Sequence, residues 1–517
     1  MTLALVEAEK SIKNAAAQKN KVNYFLAVLT GILLFLSFPK TNLSFLAWIA
    51  IIPLLFSIQK VKPLKAFFIG LISGIVFYCG YLYWLVPTFI ASGESWFLGL
   101  LILLLISVYL ALYIASFCFV VKYFEFTGIV YSVFCASLWV FLEYLRGHFF
   151  SGIPGGILGY TQWNFLPIIQ ISDIAGVYGV SFLIVLVNAA LFKSVKSVNF
   201  KSQVSSFIFI STVFAACLIY GFFKLSNTPK PLSQVKISVL QGNIDQYKKW
   251  DQRFANEIID IYDKLAKDTA KLEKPDLIVW PEAAIPGFLL EEKYFSKWIY
   301  TLANETKTYH LIGSADFKDG KYFNSAIFAS PEGEALAKYD KIHLVPFGET
   351  IPLKSFLSKY IRVVNSLGDF SSGKNYTVFE LPIFGNSKPV KFSSNICFEA
   401  IFPEVVRKFK GQEFIINLTN DAWYLKTSAP YEHFTFNIFR AIENRKPIIR
   451  CANTGISGSI DSCGRIISQT KIFTTTAQTY TIQPNQTLTF YSRFSDIFTL
   501  LCAMYCIFYG LIFRKVI

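Results

Sequence analysis

Long apolar runs, separated by short polar loops, dominate the first 225 residues of the chain. A helix needs about 20 apolar residues to cross a bilayer, with a range of about 17–25. The pattern therefore predicts about eight transmembrane helices, of which the first two are short and closely spaced. The eight apolar runs are 23–38, 43–59, 66–86, 96–121, 128–145, 171–192, 206–224 and 495–513.

The pattern changes near residue 234, where apolar and polar positions begin to alternate. Val235–Val239 has the alternation of a strand, and residues 251–272 have the spacing of an amphipathic helix. A second helix is predicted at about 432–445. Strands that alternate with helices and hairpins indicate a layered α/β domain. The other predicted strands are 277–280, 309–314, 325–329, 335–338, 390–396, 413–418, 447–451, 456–460 and 465–468.

Together these patterns predict a multi-span α-helical membrane protein that carries one α/β domain. We divide the chain into a polar tail (1–22), a seven-helix transmembrane region (23–225), the α/β domain (226–492) and a C-terminal transmembrane helix (493–517). The tail does not resemble a cleavable signal, because the apolar run after it has no clear small-residue cleavage site and further spans follow.

The composition agrees with a membrane protein. Hydrophobic residues make up 53% of the 517 residues and only 16% are charged, which is too apolar for an ordinary soluble protein. The net charge of +15 at first suggests nucleic-acid binding. Basic residues that flank membrane helices and face anionic lipid explain it better, so no nucleic-acid partner is expected.

Lysines and arginines in the short loops predict the orientation, because such residues are concentrated on the cytoplasmic side. With a cytoplasmic N-terminus, every basic cluster faces inward and the α/β domain faces outward. Lys40, Arg146 and His148 are the exceptions on the outer side. The inward clusters are Lys60, Lys62 and Lys65, then Lys122, then Lys193, Lys196 and Lys201, and finally Arg514 with Lys515.

The segment 143–170 is not an ordinary loop. Its glycines and its proline, between two apolar runs, predict an irregular piece packed against protein at the membrane surface. Glu143 and Arg146 lie at its start and are a candidate ion pair. The pattern leaves both a structural and a functional role open.

Cys397 stands where a β-rich run, Val390–Ile396, meets a helix-like run, Ile401–Phe409. This order places a thiol at a strand-to-helix corner. The thiolate is the reactive form of cysteine, and a helix N-terminus favours it. Most cysteines are buried apolar residues, so the position needs support from other motifs. Two further cysteines, Cys451 and Cys463, could pair with each other or be buried separately.

Two other motifs carry a carboxylate and an ammonium. Glu282 follows a buried-type strand and the pair Trp280-Pro281, and an acid beside an indole can have a raised pKa and serve as a base. Lys341 follows a predicted hairpin, and its fixed charge could stabilise an oxyanion. Either residue alone would more often be a solvated surface residue. No histidine, including His343, has a position that indicates a base.

Glu282, Lys341 and Cys397, each in its own motif, resemble the Glu-Lys-Cys triad of the nitrilase, or carbon–nitrogen hydrolase, superfamily. The domain 234–482 resembles the αββα sandwich of that superfamily. Together with the membrane spans, nearly the whole chain resembles the apolipoprotein N-acyltransferase family. The remaining motifs of this resemblance are Gln241-Gly242-Asn243, Lys249-Trp250, Leu344–Glu349 and Asn420–Trp423.

The resemblance implies a two-step, ping-pong acyl transfer. Cys397 would take an acyl chain from a glycerophospholipid as a thioester. The α-amino group of a diacylglyceryl-cysteine apolipoprotein would then attack that thioester, with Glu282 as base and Lys341 as oxyanion stabiliser. The family's matching positions also make Glu349 a second essential carboxylate and Glu399 a supporting one.

The resemblance further implies which residues bind substrate, where the protein is located, and that it needs no cofactor. Trp250, Phe398 and Trp423 are the expected substrate-binding residues. Phe398 stands where a tyrosine is common, so we assign it no polar chemistry. The expected location is the bacterial inner membrane, with the catalytic domain on the periplasmic side. We expect a monomer without a metal or an organic cofactor.

Other functions explain parts of the sequence. A membrane-tethered amidase or nitrilase would share the three motifs, but it would accept water as second substrate and would not need eight spans. A transporter would account for the spans, but transport sites usually need charged groups within the membrane, and these spans carry few. A scaffold protein would leave the three motifs unexplained.

Residues 352–374 mix apolar and basic side chains in a pattern typical of an amphipathic lid, with a solvated loop as the alternative. Both implied substrates are anchored in the outer leaflet, so a lid would bring the site to the bilayer. Removing its apolar side chains should then slow transfer from vesicles more than turnover of a short soluble ester. Equal losses in the two assays would contradict the lid.

Overall fold

The computed structural model describes residues 2–124, 126–150, 152–196, 200–227, 234–345, 348–350 and 370–513. The predicted lid therefore lies outside the described residues, except for residues 370–374. Helices occupy the chain up to Ser226 and again from Phe490, and the described strands lie between Val235 and Ile482. The described residues thus have a helical part, an α/β part and a final helical part.

Six helices in the described residues are long and apolar enough to cross a membrane. The runs at 43–59 and 495–513 form shorter apolar helices, Ser44–Ser57 and Ile497–Ile512, so eight spans are not confirmed. The run 43–59 is divided into a 3₁₀ turn, Ser44–Trp48, and a short helix, Ile52–Ser57. Pro53 lies in the first turn of that helix and has no N–H with which to continue a helix from the preceding turn. The six longer helices are Gln18–Ser37, Pro63–Tyr81, Trp96–Tyr123, Gly128–His148, Ser172–Lys196 and Gln203–Ser226.

The first and sixth of these segments are parts of longer helices, Thr2–Ser37 and Phe200–Ser226. The polar tail is therefore helical from Thr2 and continuous with the first span. Short elements connect the long helices and lead into the C-terminal one, Ile497–Phe513. They are Ser44–Trp48, Ile52–Ser57, Leu85–Ala91, Leu158–Gln162, Leu166–Ile169 and Phe490–Phe494.

Two six-stranded sheets form the α/β domain among the described residues. The first has β1 (Val235–Gln241), β2 (Leu277–Val279), β3 (Tyr309–Lys318), β4 (Lys321–Ala329), β5 (Ala335–Asp340) and β12 (Thr476–Ile482). The second has β6 (Val378–Leu381), β7 (Val390–Ile396), β8 (Phe414–Thr419), β9 (Ile448–Ala452), β10 (Gly458–Ile460) and β11 (Ile466–Gln469). The strand orders are β12-β1-β2-β3-β4-β5 and β11-β10-β9-β8-β7-β6.

Each sheet has a parallel centre, formed by β1, β2 and β3 in the first and by β7, β8 and β9 in the second. The outer strands join these centres in antiparallel pairs. Val239, Val279 and Leu311 of the first sheet share a buried core with Phe392 and Ile416 of the second. The two sheets therefore pack face to face.

Helices cover both outer faces of the paired sheets. Ala255–Glu273 and Lys293–Thr306 pack on the first sheet, where Tyr262 and Ile299 meet Ile278 in one apolar cluster. On the other side, Pro403–Lys408 and Ala429–Asn444 cover the second sheet. The αββα sandwich that the resemblance implied is confirmed by these four layers.

The helix Ala429–Asn444 also packs against the membrane half, so every residue in it except Tyr431 is buried. Two of its polar side chains, Arg440 and Glu443, bond to each other and reach partners on the membrane side. Arg440 donates to Glu443 at 2.9 Å, and Glu443 accepts the backbone N–H of Val177 at 3.0 Å. Just after the helix, Arg445 bonds to Asp173 at 2.8 Å. A buried charge without a partner would cost several kcal/mol, so these contacts define how the two halves dock.

Most predicted elements of the domain are present within a few residues of their expected bounds. The helix Lys293–Thr306 and the strands β6 and β12 were not predicted. The helix does carry a signal, because Phe295, Ile299 and Leu302 are buried at helical spacing. β12 is rich in threonine and is half exposed, so little in its own sequence marks it. Its place is decided by pairing with β1.

The segment after the helix Gly128–His148 packs as predicted, but the expected ion pair is wrong. Glu143 accepts hydrogen bonds from Trp139 at 3.0 Å and from Leu158 N–H at 2.8 Å. Arg146 instead donates to the hydroxyl of Tyr78 and to the carbonyl of Gly155. Arg146 is buried by these contacts, which explains why it breaks the loop-charge pattern.

The structure settles the pairing of Cys451 with Cys463 and gives a contact for Lys40. Cys451 and Cys463 are separate, buried, free thiols rather than a disulfide pair. Lys40, another exception to the loop-charge pattern, donates to the carbonyl of Lys426 in the α/β domain at 3.4 Å. Both outcomes depend on contacts with chain segments far away in the sequence.

Replacing Asp173 with asparagine should destabilise the docked halves. The change leaves the buried Arg445 without its charged partner, and breaking such a pair costs about 3–5 kcal/mol. We expect a lower unfolding temperature for the detergent-solubilised protein. The matched control is Asp251→Asn, because Asp251 pairs with the exposed Arg253 and an exposed pair contributes little. Equal shifts for the two variants would contradict the docking role.

Candidate active site

The ends of three strands meet at one region of the sandwich, and each is followed by one of the predicted reactive residues. β2 and β5 run in the same direction, because β3, β4 and β5 alternate and β2 is parallel to β3. Their carboxyl ends therefore lie at one edge of the first sheet, where Glu282 and Lys341 follow them. β7, in the facing sheet, leads into Cys397.

Glu282 is buried, and its carboxylate faces polar groups of the first sheet. Its Oε1 accepts from Asn324 Nδ2 at 2.7 Å and lies 3.6 Å from Lys341 Nζ. The indole predicted to surround it lies elsewhere, since Trp280 stacks on Tyr262 in the outer helical layer and donates to His310. The setting of the carboxylate therefore comes from an amide and an ammonium.

The backbone around Glu282 is held in an unusual shape. Ala283 has a φ of 45°, in the left-handed region that residues with a Cβ rarely adopt. Its neighbour Ala284 donates to the carbonyl of Gly313 at 2.7 Å. A Cβ on Gly313 would lie 2.1 Å from the Pro281 carbonyl, so only glycine lets β3 approach this turn. The turn fixes the direction of the Glu282 side chain.

Lys341 is almost fully buried and lies between two carboxylates. Its Nζ is 2.8 Å from Glu349 Oε2 and 3.6 Å from Glu282 Oε1. Burial by itself lowers the pKa of Lys341, but Glu349 and Glu282 more than reverse this, so the pKa lies above its usual range. The ammonium therefore stays charged and cannot serve as a proton donor near neutral pH.

Asn324, near the start of β4, connects the two carboxylates on either side of Lys341. Its Nδ2 donates to Glu282 Oε1 at 2.7 Å and to Glu349 Oε1 at 2.8 Å. Glu349 is held further by the backbone N–H of Val345, at 2.9 Å from its Oε2. The four side chains form one bonded group of two carboxylates, one amide and one ammonium.

Cys397 forms the corner between β7 and the 3₁₀ turn Cys397–Ile401. It has a φ of 54° and is 7% exposed. Burial raises the pKa of its thiol well above the usual range, Glu282 raises it further, and Lys341 offsets part of the rise. The lowering of the pKa expected from a helix N-terminus is outweighed by this burial. The resting thiol is therefore protonated and needs a base.

Glu399 is fully buried and connects the nucleophile corner with the Lys341 segment. Its Oε2 accepts the N–H of Ile396, just before Cys397, at 2.8 Å. Its Oε1 accepts the N–H groups of Ile342 and His343 and the hydroxyl of Tyr339. Burial raises the pKa of Glu399, and the bonds from Ile396 and His343 offset part of that rise. The residue is placed to position others.

A second buried chain of bonds holds the carbonyl of the nucleophile. His433 Nε2 lies 3.0 Å from the Cys397 carbonyl, and its Nδ1 lies 2.8 Å from Asp421 Oδ1. Arg450 donates to the other oxygen of Asp421 at 2.8 Å. Burial would raise the pKa of Asp421, but Arg450 and His433 hold it below the usual range. His433 thus contacts backbone and carboxylate, and its ring does not serve as base for the thiol.

The three predicted substrate-binding residues are spread around the site. Trp250 is 48% exposed, and Trp423 lies edge-on to the ring of Tyr247 at 6.4 Å. Phe398 packs against Phe402 at 5.3 Å, next to the nucleophile. Their aromatic surfaces face the surroundings of the site, and their contacts with substrate remain predictions.

The arrangement supports acyl transfer through a thiol. It offers a thiol on a strained corner, a nearby carboxylate and a permanent cation, which are groups able to act as nucleophile, base and oxyanion stabiliser. Glu349, Asn324 and Glu399 fix these groups in place. The site is buried, so its fixed charges act without competition from bulk water.

Comparison with known proteins identifies the family of this chain over most of its length. Residues 30–190 match the family model of the apolipoprotein N-acyltransferase N-terminal domain, and residues 236–489 match that of carbon-nitrogen hydrolases. The apolipoprotein N-acyltransferase of Geobacter metallireducens is 39% identical over 491 residues, 93% of each protein. This chain belongs to the apolipoprotein N-acyltransferase family.

A second relative agrees with this membership. The apolipoprotein N-acyltransferase of Haemophilus influenzae is 32% identical over 485 residues, which are 91% of this chain and 90% of that protein. Among solved structures, a CN-hydrolase superfamily protein from Xanthomonas campestris covers 48% of this chain and 91% of its own. Its sequence identity is 20% and its TM-score 0.37. The resemblance to the family that the motifs indicated is confirmed.

Three residues at the candidate site were not predicted from the sequence as site residues: Asn324, His433 and Lys249. Asn324 lies just before the predicted strand 325–329, within the longer observed β4, and its sequence position carried no signal. His433 falls in the predicted second helix, where its spacing from Cys397 is not visible. Lys249 was noted as part of a motif, but nothing showed that it points inward. Each has a contact with a residue more than 30 positions away in the chain.

Replacing Asn324 with aspartate should slow reactions of the Cys397 thiol. The change removes two donated hydrogen bonds and adds a third acid to the pair formed by Glu282 and Glu349. A rise of one pKa unit in the thiol would give about a tenfold slower alkylation by iodoacetamide at fixed pH. The rate is followed by mass spectrometry of the peptide that carries Cys397.

The matched control is Asn304→Asp, on the exposed face of the helix Lys293–Thr306, where Asn304 bonds to the carbonyl of Tyr300. We expect this variant to react at the wild-type rate. If Asn324→Asp also reacted at that rate, Asn324 would have no influence on the thiol.

Proposed function

We propose that this chain transfers an acyl group from a glycerophospholipid to the α-amino group of an N-terminal diacylglyceryl-cysteine on apolipoproteins. The observation that carries the proposal is the buried thiol at the Cys397 corner. Its pKa is raised by Glu282 and lowered by Lys341, whose side chains lie 3.6 Å apart. Family membership gives this constellation its reaction. Catalysis is assigned to Glu282, Lys341 and Cys397, with Glu349 and Glu399 in supporting roles.

In the first half-reaction, the sulfur of Cys397 attacks the ester carbonyl of the phospholipid. The thiol proton passes to Glu282 while the carbon–sulfur bond forms. The resulting oxyanion is stabilised by the permanently charged Lys341. The ester carbon–oxygen bond then breaks, and Glu282 returns the proton to the departing glycerol oxygen. The products are a thioester on the enzyme and a lysophospholipid.

In the second half-reaction, the free α-amino group attacks the thioester carbonyl. Glu282 takes a proton from the nitrogen as the amide bond forms. The carbon–sulfur bond breaks, and the thiolate of Cys397 recovers the proton from Glu282. The site is restored without net change, and the acyl chain leaves as an amide.

Water must be restrained for the amine to win the second step. Cys397 is nearly buried, and its carbonyl is bonded to His433 in a region with little solvent. Exclusion of water also strengthens the interaction of Lys341 with the oxyanion. These features favour a transferase over a membrane-tethered amidase with the same three residues.

The site lies where lipid substrates can reach it. The 3₁₀ turn Ala422–Tyr424 follows β8, whose carboxyl end is beside that of β7. Tyr424 packs on Trp84 at 5.1 Å, and the nearby Ser428 N–H donates to Tyr83, just beyond the membrane helix Pro63–Tyr81. This side of the domain therefore faces the membrane half. Diacylglyceryl and phospholipid chains could stay in the bilayer during transfer.

The loop charges support a location in the bacterial inner membrane with the domain on the periplasmic side. Two of the three outer exceptions, Lys40 and Arg146, bond to protein carbonyls and are not free loop charges. The proposed orientation therefore keeps its basis in the remaining clusters. We propose that the chain acts as a monomer.

Intact mass spectrometry of the purified protein mixed with phospholipid tests the mechanism. Wild type should gain the mass of one acyl chain, and hydroxylamine should remove it. A diacylglyceryl-cysteine peptide should also remove it and become acylated. Cys397→Ser should gain no hydroxylamine-labile mass. Glu282→Gln should form the thioester about a hundredfold more slowly or worse, because it loses the base.

The control is Glu257→Gln, which changes an exposed glutamate paired with Lys248 and should acylate normally. A mass gain that water alone clears as fast as the peptide would favour a hydrolase. No gain in wild type under any condition would contradict the assignment of Cys397.

A further inference from the structure

A second lysine points into the site from the turn that follows β1. Lys249 is only 3% exposed, whereas its neighbour Trp250 is 48% exposed, so the turn directs one side chain inward and the next outward. The Nζ of Lys249 donates to the backbone carbonyl of Glu282 at 2.9 Å. The ammonium thus holds the strained turn that carries the proposed base.

The charge of Lys249 is nearly uncompensated. Among the described residues, no carboxylate forms a salt bridge with it, in contrast to Lys341 and its two acidic partners. Burial lowers the pKa of Lys249 to about 8, although Glu282 and Cys397 both act in the opposite direction. A buried cation without a carboxylate contact is costly, and a site that keeps one usually uses it.

The ionisable groups that face Lys249 come from two other segments, Glu282 after β2 and Cys397 after β7. The acids on its own turn are engaged elsewhere. Asp251 pairs with Arg253, and Asp245 accepts the N–H of Tyr247 at 2.8 Å. Both electrostatic partners of Lys249 change charge in the proposed first step, because the thiol proton of Cys397 passes to Glu282. Of the two, the thiol is the group that becomes an anion.

Coupling between two ionisable groups is reciprocal. An ionised Cys397 favours the protonated form of Lys249, so a protonated Lys249 must favour the ionised form of Cys397 by the same free energy. The same charge would favour the thiolate when it leaves in the second half-reaction. Lys341 lies between two carboxylates, so their negative charges offset much of its effect on the Cys397 thiol.

We propose that Lys249 is a positioning residue with an electrostatic role: its ammonium fixes the Glu282 turn and stabilises the thiolate form of Cys397. This inference rests on the proposed function, because it takes Cys397 as nucleophile and Glu282 as base. It adds a second cation to the Glu-Lys-Cys set, contributed by a different strand end.

The test measures the rate at which iodoacetamide alkylates Cys397 between pH 6 and pH 9.5 (range chosen around the Lys249 pKa of about 8) in wild type, Lys249→Met and Lys249→Arg. Below pH 8 we expect wild type to react about tenfold faster than Lys249→Met, the equivalent of one pKa unit in the thiol. Above pH 8 the advantage should disappear, because Lys249 loses its proton. Lys249→Arg should keep the advantage to higher pH, since arginine stays charged.

The matched control is Lys446→Met. Lys446 is also buried, has a pKa lowered to about 8 by burial, and donates to the carbonyls of Asn485 and Thr487 away from the site. It should affect stability without changing the alkylation profile. A ratio of wild-type to Lys249→Met rates that stays constant across pH, or an equal change in Lys446→Met, would overturn the proposal.

Acyl-thioester formation from phospholipid, measured by intact mass on the same samples, separates this inference from the proposed function. If wild type fails to form the thioester, the proposed function fails, whatever the alkylation profile shows. If wild type forms it and Lys249→Met forms it equally fast at pH 7, the inference about Lys249 fails while the function stands. A loss restored by Lys249→Arg supports both.

Discussion

The helix Ala429–Asn444 is packed between a β-sheet and the membrane helices, and this double burial constrains the whole molecule. A helix buried on both sides must satisfy every polar side chain within the protein. His433 contacts the Cys397 carbonyl, Arg440 donates to Glu443, and Glu443 accepts the N–H of Val177. Cys397 is thereby linked to the membrane half through one helix. The proposed function requires that a buried thiol and lipid substrates meet, and this helix fixes how the two halves are aligned.

The charges around the thiol show a balance of the same kind. The carboxylates of Glu282 and Glu349 lie on either side of Lys341, and Asn324 connects them by donating a hydrogen bond to each. This keeps the ammonium charged but neutralises much of its field at Cys397, whose thiol stays protonated at rest. A protected thiol is useful at a site that must hold a reactive thioester without hydrolysing it. In the proposed mechanism, activation of the thiol depends on substrate binding and on proton transfer to Glu282.

Local periodicity was enough to predict many elements, and its failures have identifiable causes. The helix that became Ala255–Glu273 and the strands of the sheet centres have strong patterns of their own. The eight predicted spans included two runs that form shorter helices, because apolar composition alone does not report Pro53 or helix length. β12 was missed because its partner β1 lies about 240 residues earlier in the chain. Edge strands of this kind are defined by pairing more than by propensity.

By itself, the sequence determined the apolar runs and the α/β pattern, and it predicted Glu282, Lys341 and Cys397 as candidate reactive groups, since each stands in a recognisable local motif. Only the tertiary structure decided their neighbours. It placed Asn324 between two carboxylates, turned Lys249 inward beneath Glu282, and separated Glu143 from Arg146. The physical reason is that residue type and spacing report local conformation. The charge state and reactivity of a buried group depend on burial and on partners brought together from distant parts of the chain.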